Sequence, residues 1–290
     1  MPAPVTLPAD LVCDLEVTHV RGIPGGSVSE VYRGLSPAGP VLVKTMRDPP
    51  PDFYAREAAG LQALRATGSV PVPQVLRYGV SGLVLQWIEP CAGADAISGG
   101  PGAERFGRDL AELHAHRGAS FGSVDEHPTG YLGSVALDLT PEPTWLASYL
   151  QRRVLPMARQ AVAHHRLDPA ALRLVDRLLE REPDYWGPAE APSLVHGDLW
   201  SGNRVVDTRG RHWLVDPSAH FGHREVDLAL MWLFGGFDQA TFAAYREVFP
   251  LAPGWQPRIA LHQLAPLLAN TLMHDAAFGD QTMARLTALA

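Results

Sequence analysis

Between residues 90 and 102 the pattern of the chain changes, and that change restricts the fold more than any other feature of its 290 residues. Before it, short β-rich runs alternate with Gly and Pro: EVTHVRGI, then PGGS, VSEVYRGL, the turn SPAGP, and VLVKTM, closed by the prolines at 49 to 51. QVLRYGV and LVLQWIE follow, separated by Ser81-Gly82. Runs of this kind read as antiparallel hairpins. One helix interrupts them: FYAREAAGLQALRATG, 53 to 68, carries Phe53, Leu61 and Leu64 near one face and ends at Gly68. The connector PCAGADAISGGPG is rich in small residues. Beyond it, ERFGRDLAELHAHRG, TWLASYLQRRVLPMARQAVAHH and DPAALRLVDRLLERE repeat apolar residues at helical spacing, and the chain from Gln239 is again mostly helical. Between these helical stretches lies a β-rich insert that starts at LVHGDLWSGN and ends in the helix before LFGGF. The order predicts an α+β fold of two lobes. A small β-rich lobe with one helix covers 1–89, a larger and mainly helical lobe covers 90–290, and a ligand cleft lies between them.

Charge and cysteine usage exclude several function classes. The net charge is −7 and the basic residues are scattered, which argues against a nucleic-acid or acidic-membrane surface. Cys13 and Cys91 form no CxxC pair and read as unpaired thiols. The start MPAPVTLPADLV lacks a secretory pattern, and no apolar run approaches the roughly 18 residues of a membrane span. A soluble, cytoplasmic protein is expected; its oligomeric state stays open, with a monomer favoured. The pairs His114/His116 and His164/His165 lack metal-ligand partners at a convincing spacing.

The chemistry concentrates in HGDLWSGN, 196 to 203, where Asp198 and Asn203 stand five residues apart and Asp216 follows a short apolar run. Phosphoryl transfer from ATP needs a carboxylate that orients and deprotonates the attacking hydroxyl. It also needs an amide oxygen and a second carboxylate to hold the magnesium that bridges the phosphates. Asp198 is the candidate base, and Asn203 and Asp216 are the candidate metal ligands. Upstream, Gly25, Gly26 and Ser27 join two expected strands, where glycine lets backbone amides approach phosphate oxygens. Lys44 follows Gly26 by eighteen residues. It is the one lysine of the chain, since the other 23 of its 24 basic residues are arginines. A compact ammonium, unlike a planar fork, suits a point contact with phosphate. Glu57, on the next helix, is placed to pair with it. Gln86, Trp87 and Ile88 are expected to read the adenine edge through their backbone.

These residues resemble the fructosamine/ketosamine kinase family, part of the aminoglycoside-phosphotransferase and choline-kinase group with a protein-kinase-like fold. The resemblance spans roughly residues 15 to 285 and includes GGSVSEVY, EAAGLQAL, GWQPRIALHQL and HDAAFGD. Its specific part is Trp200-Ser201-Gly202 inside the catalytic loop, with GHRE (222 to 225) and LFGGF (233 to 237). It implies transfer of the ATP γ-phosphate to the third-carbon hydroxyl of a ketoamine, after which the adduct breaks down and frees the amine. It implies Asp198 as catalytic base, Lys44 on the phosphates with Glu57 orienting it, and magnesium on Asn203 and Asp216. Asp227 braces the catalytic loop, with His196 as further support. Trp200, His220 and Arg224 are expected at the sugar, a Trp face suiting the carbon side of a ring. Pairing of Arg224 with Glu225 or Asp227 is the alternative. Two departures stand out: Pro217-Ser218 follows the metal-binding Asp, and Ser29 replaces an Asn after the glycine turn.

Overall fold

The computed structural model describes residues 7–24, 28–91, 102–182, 186–274 and 276–290. Its first part is a five-stranded antiparallel sheet in the order β1-β2-β3-β5-β4, with β1 Thr18–Gly22, β2 Glu30–Ser36, β3 Gly39–Thr45, β4 Val75–Gly79 and β5 Gly82–Gln86. Strand alternation decides where Lys44 points. Val41 and Val43 bury against Leu11 of the single-turn helix α1 (Ala9–Val12) on one face. Leu42 and Lys44 therefore share the other face, which α2 (Phe53–Ala66) covers.

The buried stripe of α2 runs Tyr54, Glu57, Ala58, Leu61, Leu64. Spacing of three and four residues puts all of these on one side of a helix, so Glu57 is carried inward with the apolar residues. Phe53 is only half-buried and meets Tyr131 instead, ring to ring at 5.1 Å.

The second part is mainly helical: α3 Ala103–His114, α4 Leu155–Ala163, α5 Ala170–Leu179, α6 Glu225–Phe234, α7 Gln239–Val248, α8 Trp255–His262, α9 Leu264–Met273 and α10 Ala276–Leu289. α3 and α7 pack closely because Gly107 lacks a side chain; a Cβ there would lie 2.2 Å from the Thr241 carbonyl oxygen. Four short strands complete the insert: β8 Ser193–Val195 pairs with β11 His220–Gly222, and β9 Arg204–Val206 with β10 His212–Leu214. One apolar core runs through both parts. It joins Leu83 and Leu85 of the sheet and Leu61 and Leu64 of α2 to Leu110, Leu199, Leu214 and Tyr245. The β-rich insert thus sits on the same packed base as the sheet.

Two features depart from the expectation. A hairpin, β6 Thr129–Leu132 and β7 Val135–Asp138, rises from a stretch in which no element was expected. The helix expected across 144–165 is instead π-helical over Ala147–Val154 before it becomes α4. Pro156 has no N–H to give the preceding turn, so the change of helix type falls where a helical bond is missing. The expected connector lies largely outside the described residues, at 92–101.

Candidate active site

A cleft of about 340 Å³ lies where the two parts meet, and Lys44, Glu57, Asp198, Asn203, Asp216 and Trp200 line it. Lys44 Nζ donates to Glu57 Oε1 at 2.7 Å and stands 3.0 Å from Asp216 Oδ1, with only 6% of the residue exposed. Burial pulls its pKa down, but the carboxylates of Asp216 and Glu57 together outweigh burial and hold the ammonium above its ordinary value. Glu57 is pushed up by burial, with Lys44 pulling the other way. The expected pairing therefore forms, and it bridges sheet, helix and catalytic insert.

The catalytic loop is held from below. Asp227, fully buried in the first turn of α6, accepts the backbone N–H of His196 at 2.7 Å and of Gly197 at 2.8 Å. It also meets His114 Nε2 at 3.1 Å, and His114 Nδ1 lies 2.8 Å from the Tyr245 hydroxyl. Burial works against the Asp227 charge, yet His114, His196 and the Gly197 N–H hold its pKa below the usual range. His196 Nε2 donates to the Val215 carbonyl at 2.9 Å, and its Nδ1 accepts the Asp198 N–H at 3.3 Å, tying the loop to the residue before Asp216. Burial lowers the His196 pKa, in keeping with this neutral form. Gly197 is required: its φ is 82°, and a Cβ would stand 2.1 Å from the Ser218 carbonyl oxygen. Asp216 takes a left-handed backbone, φ 55°, a strained conformation for a non-glycine residue of the kind found at functional sites.

Asn203 Nδ2 donates to Asp198 Oδ2 and to the Asp198 carbonyl, both at 2.9 Å. With its N–H groups so committed, the amide has its oxygen left as the group that could meet a cation. That oxygen and the Asp216 carboxylate are hard donors that fit magnesium. Asp198 itself is pushed up to about 7; burial is the main cause, Asp216 and Asp227 add to it, and the Asn203 bond opposes it.

The structure does not bring every expected residue to the cleft. His220 is buried, with Nδ1 on the Ser218 carbonyl at 2.8 Å and Nε2 at 2.6 Å from Arg153 Nη1. Arg224 is 2% exposed and forms a two-point pair with Glu190 at 2.6 and 3.0 Å; it also donates to the Phe249 and Pro250 carbonyls. Neither lines the cleft, so the structure does not bring these two expected sugar contacts to it. The local partners weighed for Arg224 are taken: Glu225 binds Arg258, and Asp227 holds the loop. Trp200 does line the cleft, 38% exposed, resting edge-on against Phe234 at 6.1 Å. Gln86, Trp87 and Ile88 lie just before the crossing point, where the Cys91 N–H donates to the Val206 carbonyl at 2.8 Å. Gln86 N bonds Gln74 O and Trp87 N bonds Pro40 O, so of the three expected amides two are committed to the sheet. Gly25, Gly26 and Ser27 lie outside the described residues.

Sequence reasoning missed the front wall. Arg56 binds Asp125 at 2.7 Å, and the Tyr131 hydroxyl donates to the Pro51 carbonyl at 2.7 Å, so the hairpin segment clasps α2 across the cleft mouth. It also missed a buried trio, His223, Glu225 and His262, whose ligand atoms lie within 4.8 Å of one another. Arg258 already takes both Glu225 oxygens at 2.6 and 3.0 Å, and Trp145 Nε1 donates to His262 Nε2, so the trio serves packing.

A buried lysine and glutamate, a braced aspartate, an asparagine and a second aspartate around one cleft define a phosphotransferase of the two-lobed kinase type. The fructosamine kinase model matches residues 7–289, and the chain belongs to that family. It is an ATP-dependent kinase. Among its relatives, a "probable ketoamine kinase" of Thermus thermophilus is 37% identical over 85% of this chain and 84% of its own length. A chloroplastic protein-ribulosamine 3-kinase of Oryza sativa subsp. indica is 30% identical over 91% of this chain and 75% of its own length. A crystal structure from Thermobifida fusca, provisionally assigned as a fructosamine-3-kinase, superposes with a TM-score of 0.85 at 35% identity, covering 97% of this chain and 96% of the other. A macrolide 2′-phosphotransferase from Brachybacterium faecium shares the fold at a TM-score of 0.61 and 18% identity, covering 94% of each chain. Among the described residues, no helix is long and apolar enough to cross a membrane.

Proposed function

We propose that this kinase phosphorylates the third-carbon hydroxyl of ketoamines, with ribulosamines, erythrulosamines and fructosamines as the substrate class, and so frees glycated amines in the cytoplasm. The observation that carries the reading is Asp198. It stands in the cleft beside Trp200, oriented by the Asn203 amide at 2.9 Å on a loop fixed by Asp227. An acceptor hydroxyl lying against Asp198 would give up its proton there, and a carboxylate poised near neutrality suits a general base. Lys44 would meet the phosphates of ATP, and Glu57 would keep its ammonium in place. Asn203 and Asp216 would hold magnesium, which neutralises phosphate charge when bound. Trp200 offers an exposed face to the sugar carbons. Names borne by the relatives favour the ketoamine reading over another hydroxylated acceptor.

The test is incubation with Mg-ATP and a panel of four-, five- and six-carbon ketoamines, alongside choline and an aminoglycoside. Consumption of ketoamine with formation of its phosphate is expected. Turnover of choline or the aminoglycoside alone would replace this reading with that of a same-fold kinase for another alcohol. Asp198→Ala should cut turnover by roughly 100-fold or more while ATP binding persists. An unchanged rate would mean the base is elsewhere.

A further inference from the structure

A second cavity, of about 400 Å³, lies behind the β6–β7 hairpin. The hairpin stands between it and the cleft, with Thr129 lining both: Gly130 and Tyr131 face the cleft, while Leu137, Asp138 and Thr140 line the second cavity together with Arg152, Arg153 and Gln160. Arg153 comes from the π-helical stretch, is 3% exposed, and has no carboxylate within ion-pair distance among the described residues. Every partner it has is neutral. Nη1 is 2.6 Å from His220 Nε2, Nη2 donates to Ser148 Oγ at 3.2 Å, and the guanidinium lies over the Trp145 ring at 5.3 Å. Nε is buried with no partner. His220 cannot supply charge: its Nδ1 must carry the proton given to the Ser218 carbonyl, so Nε2 only accepts. The acid near enough to influence Arg153 is Asp138, and that carboxylate is held by Arg152 at 2.9 Å and by the Thr140 N–H at 2.9 Å.

An isolated buried charge is costly unless something neutralises it. Here the charge belongs to a residue that lines a cavity large enough for a small molecule, and its buried Nε–H has no partner. We infer that this cavity is a binding site for a small oxyanion, a phosphate or a carboxylate, whose charge Arg153 completes. Gln160 and Asp138 are exposed at its rim. Asp138 opposes an incoming anion and thereby sets its affinity. The site adjoins the kinase cleft at Thr129 but is a distinct cavity, and it does not depend on the identity of the ketoamine.

The full-length protein, with its nucleotide site filled by Mg and a non-hydrolysable ATP analogue, is titrated calorimetrically with inorganic phosphate. A parallel arm uses acetate, and sodium chloride keeps the ionic strength constant. Saturable binding in either arm is expected, and the arm that binds identifies the anion. Gln160→Glu changes an exposed residue and adds a negative charge at the rim; it should weaken binding about tenfold while leaving basal turnover unchanged. Asp138→Asn should tighten binding. Arg153→Met should abolish it, and if that variant does not fold, the two rim variants decide. Absence of saturable binding in both arms, or equal affinity in wild type and Gln160→Glu, overturns the proposal.

Discussion

Lys44 and Arg153 are both buried cations, and the molecule treats them in opposite ways. Lys44 stands between two carboxylates, Glu57 at 2.7 Å and Asp216 at 3.0 Å. Arg153 has a histidine, a serine and a tryptophan ring. The first cation is compensated before any ligand arrives, and with its two partners it ties β3, α2 and the loop after β10 to one another, so it also fixes their mutual placement. The second is uncompensated, and its charge remains available to whatever enters its cavity.

The largest effect that would break this contrast is on stability. Lys44→Met leaves Glu57 and Asp216 facing each other without a cation, and losing one partner of a buried pair costs several kcal/mol. Because Asp216 is 40% open to water, the low end of that scale applies, about 3 kcal/mol. Arg153→Met loses two hydrogen bonds at about 1 kcal/mol each but also relieves an unpaired charge, so its net effect should stay within about 1 kcal/mol. Denaturant unfolding of both variants measures the difference, and equal losses would erase the distinction between the two sites.

Next in size is Lys44→Arg, which keeps the charge but replaces a point donor with a longer fork. It should fold, and it should lose on the order of 100-fold in kcat/KM, the scale of a misplaced phosphate contact. Full activity would mean that the compact ammonium is not what the site requires.

A smaller effect is the acid sensitivity of the Arg153 side. Burial, reinforced by Arg153, lowers the His220 pKa to about 3. Between that value and the ordinary 6.5, the unfolded chain binds a proton that the folded chain refuses. Stability from this group is therefore complete above about pH 6.5 and is lost as pH falls toward 3. His220→Gln should remove about one proton, ~1.4 kcal/mol per pH unit, from the slope of stability between pH 6.5 and 4. Lys44 is charged in both states throughout that window and adds nothing to the slope. The smallest expected change is that of Arg56→Gln, which opens a partly exposed clasp and should cost about 0.2–1 kcal/mol.

That Lys44, Glu57, Asp198, Asn203 and Asp216 would meet was legible because each is a residue type suited to phosphoryl transfer, set in order along strand, helix and loop. Lys44 and Glu57 meet because both lie on the shared face of β3 and α2. That His220 and Arg224 lie away from the cleft was not legible, because the partners that bury them are distant in sequence. Arg153 lies 67 residues from His220, and Glu190 lies 34 residues from Arg224. The front clasp escaped notice because four-residue strands such as TGYL and VALD carry too little alternation to stand out.

One property of Lys44 reaches beyond phosphate contact. Ketoamines form when an uncharged amine attacks the carbonyl of a reducing sugar. The single ε-amine of this chain is 6% exposed, and two carboxylates keep it protonated. An enzyme of this family thus offers reducing sugars no open lysine of its own: Lys44 is buried and held in the protonated form, which does not attack a carbonyl.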